Sequence, residues 1–79
     1  MKVLFFAHCR QLAGMDHYIL ATDRPLTQAR FWALLLEACP RLASQEKTAR
    51  LARNETYLQD SELLHPGDEI AVIPPVSGG

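Results

Sequence analysis

His65-Pro66-Gly67-Asp68-Glu69-Ile70-Ala71-Val72-Ile73-Pro74-Pro75, residues 65–75, reads as a turn, a strand and a stop. Pro66 presets φ, Gly67 accepts a positive one, and Asp68 can bond its own backbone, which together make a strong turn signal. Glu69 to Ile73 is dense enough in apolar side chains to occupy the middle of a sheet. Pro74 and Pro75 cannot donate to a strand ladder, so the sheet ends at Ile73.

The rest of the chain supplies partners for that strand. Val3-Leu4-Phe5-Phe6-Ala7 is a compact, aromatic-rich run whose length favours a strand. Arg10 to Gly14 reads as a loop or short helical turn closed by Gly14. His17-Tyr18-Ile19-Leu20 is rich in β-formers, and its nearness to the first run implies an antiparallel pair. Arg24-Pro25 then breaks the strand, and Thr27 has the chemistry of a helix N-cap. Gln28 to Cys39 lacks glycine and proline and is rich in Ala and Leu, so it predicts a helix that Pro40 stops. Phe31, Leu34, Leu35 and Ala38 fall on one face at helical spacing, Trp32 and Leu36 widen it, and Arg30 and Glu37 mark the polar side. Ser44 to Thr48 reads as a loop. Arg50–Arg53 and Thr56–Leu58 read as two short strands around Asn54-Glu55, and Leu63-Leu64 as part of a helical turn.

Strand, strand, helix, short strands, strand is the order of an α+β, β-grasp arrangement: a mixed sheet with one main helix. A right-handed crossover lays the helix over the sheet and returns the last strand beside the first. The 79 residues, 48% hydrophobic, provide one core and exclude a second domain. Residues 1–73 form the expected domain and residues 74–79 a flexible tail. A core of this size supplies roughly 3–5 kcal/mol and leaves little room for a deep catalytic cleft.

Charge and cysteine usage exclude further classes. Eight Lys plus Arg against nine Asp plus Glu give a net charge of -1, and the basic residues are interleaved with Asp23, Glu37 and Glu46. No basic stripe for nucleic acid results. Cys9 and Cys39 make neither a Cys-x-x-Cys pair nor a disulfide framework. The opening apolar run is too short for a membrane span or a signal-peptide core, so a cytoplasmic protein with free thiols is expected. His8 and Cys9, neighbours on the first strand in this reading, point to opposite faces and make no nucleophile pair. No metal-ligand spacing joins His17 or His65 to the cysteines.

The tail carries the chemistry. Pro74 and Pro75 make a stiff root, Val76 is one apolar anchor, Ser77 follows, and Gly78-Gly79 is a tip with no side chains. Six residues from Pro74 to Gly79 extend roughly 20 Å. That shape suits carrying a terminal carboxylate into another protein's active site. A carboxylate is a poor acyl donor until activated, for example as a mixed anhydride with AMP.

Lys2-Val3-Leu4-Phe5-Phe6-Ala7 with Arg10 and Gly14, Gly67-Asp68-Glu69-Ile70, and Pro74-Pro75-Val76-Ser77-Gly78-Gly79 together resemble the molybdopterin synthase small-subunit family of ubiquitin-like sulfur carriers. The resemblance runs along the whole chain and is most specific in the last six residues. It implies that an ATP-dependent adenylating enzyme activates the Gly79 carboxylate and that sulfur then replaces the adenylate. The resulting thiocarboxylate enters the large synthase subunit and gives its sulfur to cyclic pyranopterin monophosphate in molybdenum cofactor biosynthesis. The chain itself is expected to hold no cofactor and no metal, ATP being used by the activating partner. Gln11 stands where the family commonly has an acidic residue, and Ala52-Arg53-Asn54 replaces a more apolar stretch. A ubiquitin-like modifier, a carrier for thiamine or cysteine synthesis, and a plain interaction module remain as alternatives.

Strand alternation also marks a docking face. Lys2, Leu4, Phe6 and His8 share one side of the first strand, and Glu69, Ala71 and Ile73 one side of the last. With Leu58 inward, Tyr57 faces outward. Phe6, Tyr57 and Ile73 are therefore expected to form an exposed apolar patch near the root of the tail, suited to the large subunit.

Overall fold

The computed structural model describes residues 1–75. Its strands are β1 (Lys2–Phe5), β2 (His17–Ile19), β3 (Arg50–Arg53), β4 (Thr56–Tyr57) and β5 (Glu69–Ile73), in the sheet order β2-β1-β5-β3-β4. β5 lies in the centre, parallel to β1 and antiparallel to β3, while β1–β2 and β3–β4 are antiparallel pairs. Helix α2 (Gln28–Ala38) crosses between the two pairs. This is the β-grasp arrangement expected from the element order.

Alternation along the strands sorts the two faces. Val3 and Phe5 from β1, Ile70 and Val72 from β5 and Leu51 from β3 point into one core. Phe31, Trp32 and Leu35 meet them from α2, with the Phe31 and Trp32 rings edge-on at 6.0 Å. Burying each such side chain stabilises the fold by roughly 1.5–3 kcal/mol relative to leaving it in water. Thr27 caps α2, its hydroxyl accepting from the Arg30 N–H at 3.1 Å.

Several local expectations are corrected. The first apolar run does not continue as a strand to Ala7. The Phe6 N–H still donates to Val72 O at 3.3 Å, but Ala7, at φ 50°, turns the chain into helix α1 (Ala7–Ala13). Gly14, at φ 73° in the left-handed region, closes that helix by donating its N–H to Arg10 O. Cys9 is fully buried on the inner side of α1, whereas His8 is exposed and has left the Leu4–Phe6 face altogether.

On α2 the buried side is Phe31, Trp32 and Leu35; Leu34 is half-buried and Ala38 is exposed. Cys39 follows as the buried C-cap residue, and Pro40 opens a 3-10 helix, Pro40–Gln45, that inserts Leu42 into the core. The segment read as a loop from Ser44 thus begins inside this helix. Leu64 belongs to no helical turn. It exchanges both backbone hydrogen bonds with Leu26, at 2.7 and 2.8 Å, and is fully buried.

Candidate functional site: a groove beside the root of the tail

The face of the sheet opposite α2 is built by register. Leu4 pairs with Ala71, Ala71 with Ala52, and Ala52 with Tyr57, so one row of side chains crosses four strands. The two alanines in the middle are small, and the larger side chains on either side stand above them. The result is a groove of about 460 Å³, with Ala52 and Ala71 as floor, Leu4 and Phe6 as one wall and Tyr57 as the other. Phe6 and Tyr57 are each 46% exposed, and Ile73 is half-buried. Phe6, Tyr57 and Ile73 therefore line one groove at the end of β5, although Phe6 reaches it as the N-cap residue of α1 and not as a strand residue.

The two ends of the groove differ in charge. The Asn54-Glu55 turn and Glu69 line one end. At the other, Arg50 pairs with Ile73, the last residue of β5, and its guanidinium lies 4.4 Å from the centre of the Tyr57 ring. This cation–π contact orients the guanidinium and braces the ring. The sequence reading overlooked Arg50, although strand parity places it on the same face as Ala52. Leu4, Ala52 and Ala71 were legible by the same parity.

Pro74, half-buried, and Pro75, exposed, leave the sheet at the Arg50 end. The other expected tail residues, Val76, Ser77, Gly78 and Gly79, lie outside the described residues. The exit is fixed because β5 is paired on both sides from Ile70 to Val72 and Ile73 is still held by Arg50 of β3. The turn before β5 is tied down as well. Asp68 accepts from the His65 N–H at 2.8 Å and forms an ion pair with Arg53 at 2.9 Å. Arg53 also donates to Leu63 O and faces Glu62 at 3.8 Å. The arginine in Ala52-Arg53-Asn54 thus fastens the segment that leads into the last strand.

The rival sites do not assemble. Cys9 Sγ lies 4.0 Å from Gln45 Oε1, and burial pushes both the Cys9 and the Cys39 thiols up from their ordinary value. Raised, buried thiols are poor nucleophiles at neutral pH. Among the described residues no cluster of three or more His, Cys, Asp or Glu side chains could hold a metal ion. No described helix is long and apolar enough to cross a membrane.

A protein-family model, the ThiS family, matches residues 3–79. The chain belongs to the ThiS family. This ThiS-family chain is 40% identical to the molybdopterin synthase sulfur carrier subunit of Chlamydomonas reinhardtii, over 100% of the chain and 98% of the relative. It is 39% identical to the subunit of that name from Escherichia coli K12, over 100% and 99% of the two chains. Relatives so named support a role in molybdenum cofactor biosynthesis. The fold is similar to the crystal structure of SAMP1 from Haloferax volcanii, with a TM-score of 0.83 and 28% identity over 99% of this chain and 97% of that one.

Proposed function

We propose that this chain is the sulfur carrier subunit of a molybdopterin synthase and that Gly79 is its working residue. The Gly79 carboxylate attacks the α-phosphate of ATP on an adenylating enzyme, releasing pyrophosphate and forming an acyl-adenylate. A sulfur nucleophile then displaces AMP, and the terminus becomes a thiocarboxylate. The loaded tail, from Pro74 through Val76, Ser77 and Gly78, enters the active site of the large synthase subunit and transfers its sulfur to cyclic pyranopterin monophosphate. In this reading the sulfurtransferase activity belongs to the complex; the present chain supplies the sulfur and the docking face.

The observation that carries the reading is the fixed exit of a Pro-Pro-Val-Ser-Gly-Gly tail beside an exposed apolar groove. The groove offers a partner a place to sit, and the central strand ends in Pro74 and Pro75 beside it. A tip without Cβ atoms is what a narrow tunnel admits. The test is mass spectrometry of the intact protein from its native cell, followed by reconstitution with the large subunit and cyclic pyranopterin monophosphate. A mass shift equal to one oxygen-to-sulfur exchange at the C-terminus, and molybdopterin formation that stops when Gly79 is deleted, are expected. A terminus that never carries sulfur would sink the proposal.

The likeness to Haloferax SAMP1 favours a second reading, a protein modifier joined through its terminus to lysines. Its signature in the same spectra is an isopeptide between Gly79 and a lysine of another protein.

A further inference from the structure

We infer that Arg50 selects the partner, and that the protein surface seated on the groove places a carboxylate against this guanidinium beside the root of the tail. The inference rests on the docking role of the groove proposed above and assigns the chemistry of the surface that covers it.

Three observations carry it. Arg50 does not line the groove itself but stands at its Ile73 end, paired with Ile73 across β3–β5 and with its guanidinium on the Tyr57 ring. A surface seated on Ile73 and Tyr57 therefore comes up against Arg50. Its guanidinium has one face on the Tyr57 ring at 4.4 Å, while among the described residues it makes no ion pair and no side-chain hydrogen bond. Its N–H donors therefore have no acceptor among the described residues. Lastly, the acidic groups that line the groove, Glu55 and Glu69, are at its opposite end, and Glu46 and Asp60, which line the adjoining pocket together with Arg50, form no ion pair with it.

Docking removes the water. A guanidinium buried without an acceptor is strongly destabilising, whereas one stacked on an aromatic ring and bonded at its edge to a carboxylate is held on both sides. A guanidinium is more weakly hydrated than an ammonium, and its fork matches a carboxylate in two hydrogen bonds. The ring already fixes the fork's plane, so little orientation is lost when the carboxylate arrives. A partner that is apolar opposite the alanine floor and acidic opposite Arg50 fits. One with a cation there is rejected by repulsion.

The experiment measures binding of the full chain to the large synthase subunit of the same organism by titration calorimetry at several salt concentrations. Arg50→Gln, Arg50→Glu and Phe6→Asp are compared with the unsubstituted chain after circular dichroism confirms that each is folded. Arg50→Gln is expected to weaken binding by roughly 30-fold and Arg50→Glu by more, because a paired charge is lost and then reversed. The affinity of Arg50→Gln should also fall less steeply with salt than that of the unsubstituted chain. If Phe6→Asp abolishes binding while Arg50→Gln keeps both affinity and salt slope, the carboxylate is absent and the inference is overturned. If Phe6→Asp and Arg50→Gln both bind unchanged, the groove is not the docking surface, and the reading beneath the inference falls with it.

Discussion

Replacing Phe6 with Asp separates docking from folding, because the residue stands at a junction with different demands on its two sides. Toward the groove it offers the exposed 46% of its surface. A phenylalanine side chain has on the order of 200 Å² to bury, so close to half of that, roughly 90 Å², remains for a partner. At about 25 cal/mol per Å² the loss is roughly 2 kcal/mol, some 30-fold in affinity. A carboxylate trapped under an apolar partner adds a desolvation penalty of several kcal/mol, which takes the expected loss beyond about a thousandfold. Toward the fold, Phe6 is the N-cap of α1 with extended backbone angles, φ -123° and ψ 148°, and its side chain caps nothing. Aspartate is among the preferred N-cap residues, which offsets part of the packing lost with the covered half of the ring, so the domain should stay folded with its urea midpoint only modestly lowered. Calorimetric titration with the large subunit, alongside urea unfolding followed by Trp32 fluorescence, reads both quantities. A folded Phe6→Asp protein that binds within about threefold of the original, less than 1 kcal/mol, would refute the reasoning.

Three further outcomes are expected. Phe31→Ala empties a fully buried site edge-on to Trp32, at a cost of roughly 3–5 kcal/mol that equals the stability of a domain this small, so circular dichroism should show it largely unfolded at 25 °C. Asn54 and Glu55 both hold positive φ, 49° and 71°, in the β3–β4 turn. Glu55→Gly introduces the Asn-Gly pair that such turns prefer and should stabilise the fold by about 0.5–1 kcal/mol, raising the thermal midpoint by a few degrees. The buried thiols make the fold sensitive to alkali. Because folding raises the Cys9 and Cys39 values, their contribution is complete below the unfolded thiol's value and is lost as pH rises through the folded ones. Urea midpoints that fall across the alkaline range in the parent, and fall less in a Cys9→Ala, Cys39→Ala double variant, are the expected result.

The parts of the fold that were legible are those written in local chemistry. Thr27 before an uninterrupted helical stretch, the Pro66-Gly67-Asp68 turn and the two prolines after Ile73 each act within a few residues, and each marks an element boundary in the structure. What was missed depends on contacts distant in sequence. Leu64 is extended because Leu26 pairs with it, and no local pattern distinguishes that from a helical turn. α1 was misplaced because a continuous apolar run carries no mark at the residue where a strand stops. The turn is made by Ala7 at φ 50°, an angle its residue type does not advertise. Ala38 fits the helical spacing but faces solvent, since the 3-10 helix and Cys39 close the core below it. On the site side, alternation placed Tyr57 and Ile73 on the groove face, while Phe6 reaches the same groove from the α1 N-cap and not by the strand alternation that was read for it. Arg50 escaped because a charged residue among polar neighbours reads as ordinary surface until its register with Ile73 is known.

The position of β5 orders the events of folding. Take it away and the sheet falls into two unconnected pairs, β2–β1 and β3–β4, with no strand hydrogen bonds between them. The last strand in the chain is the keystone of the sheet, so the groove face is not assembled until the segment that bears the tail has been inserted. A chain that stops short, or is caught before β5 docks, lacks the surface by which a partner would grip it. Completion of the fold and presentation of the tail are one event, and an activating enzyme that grips this face would sort finished carriers from unfinished ones without any separate inspection step.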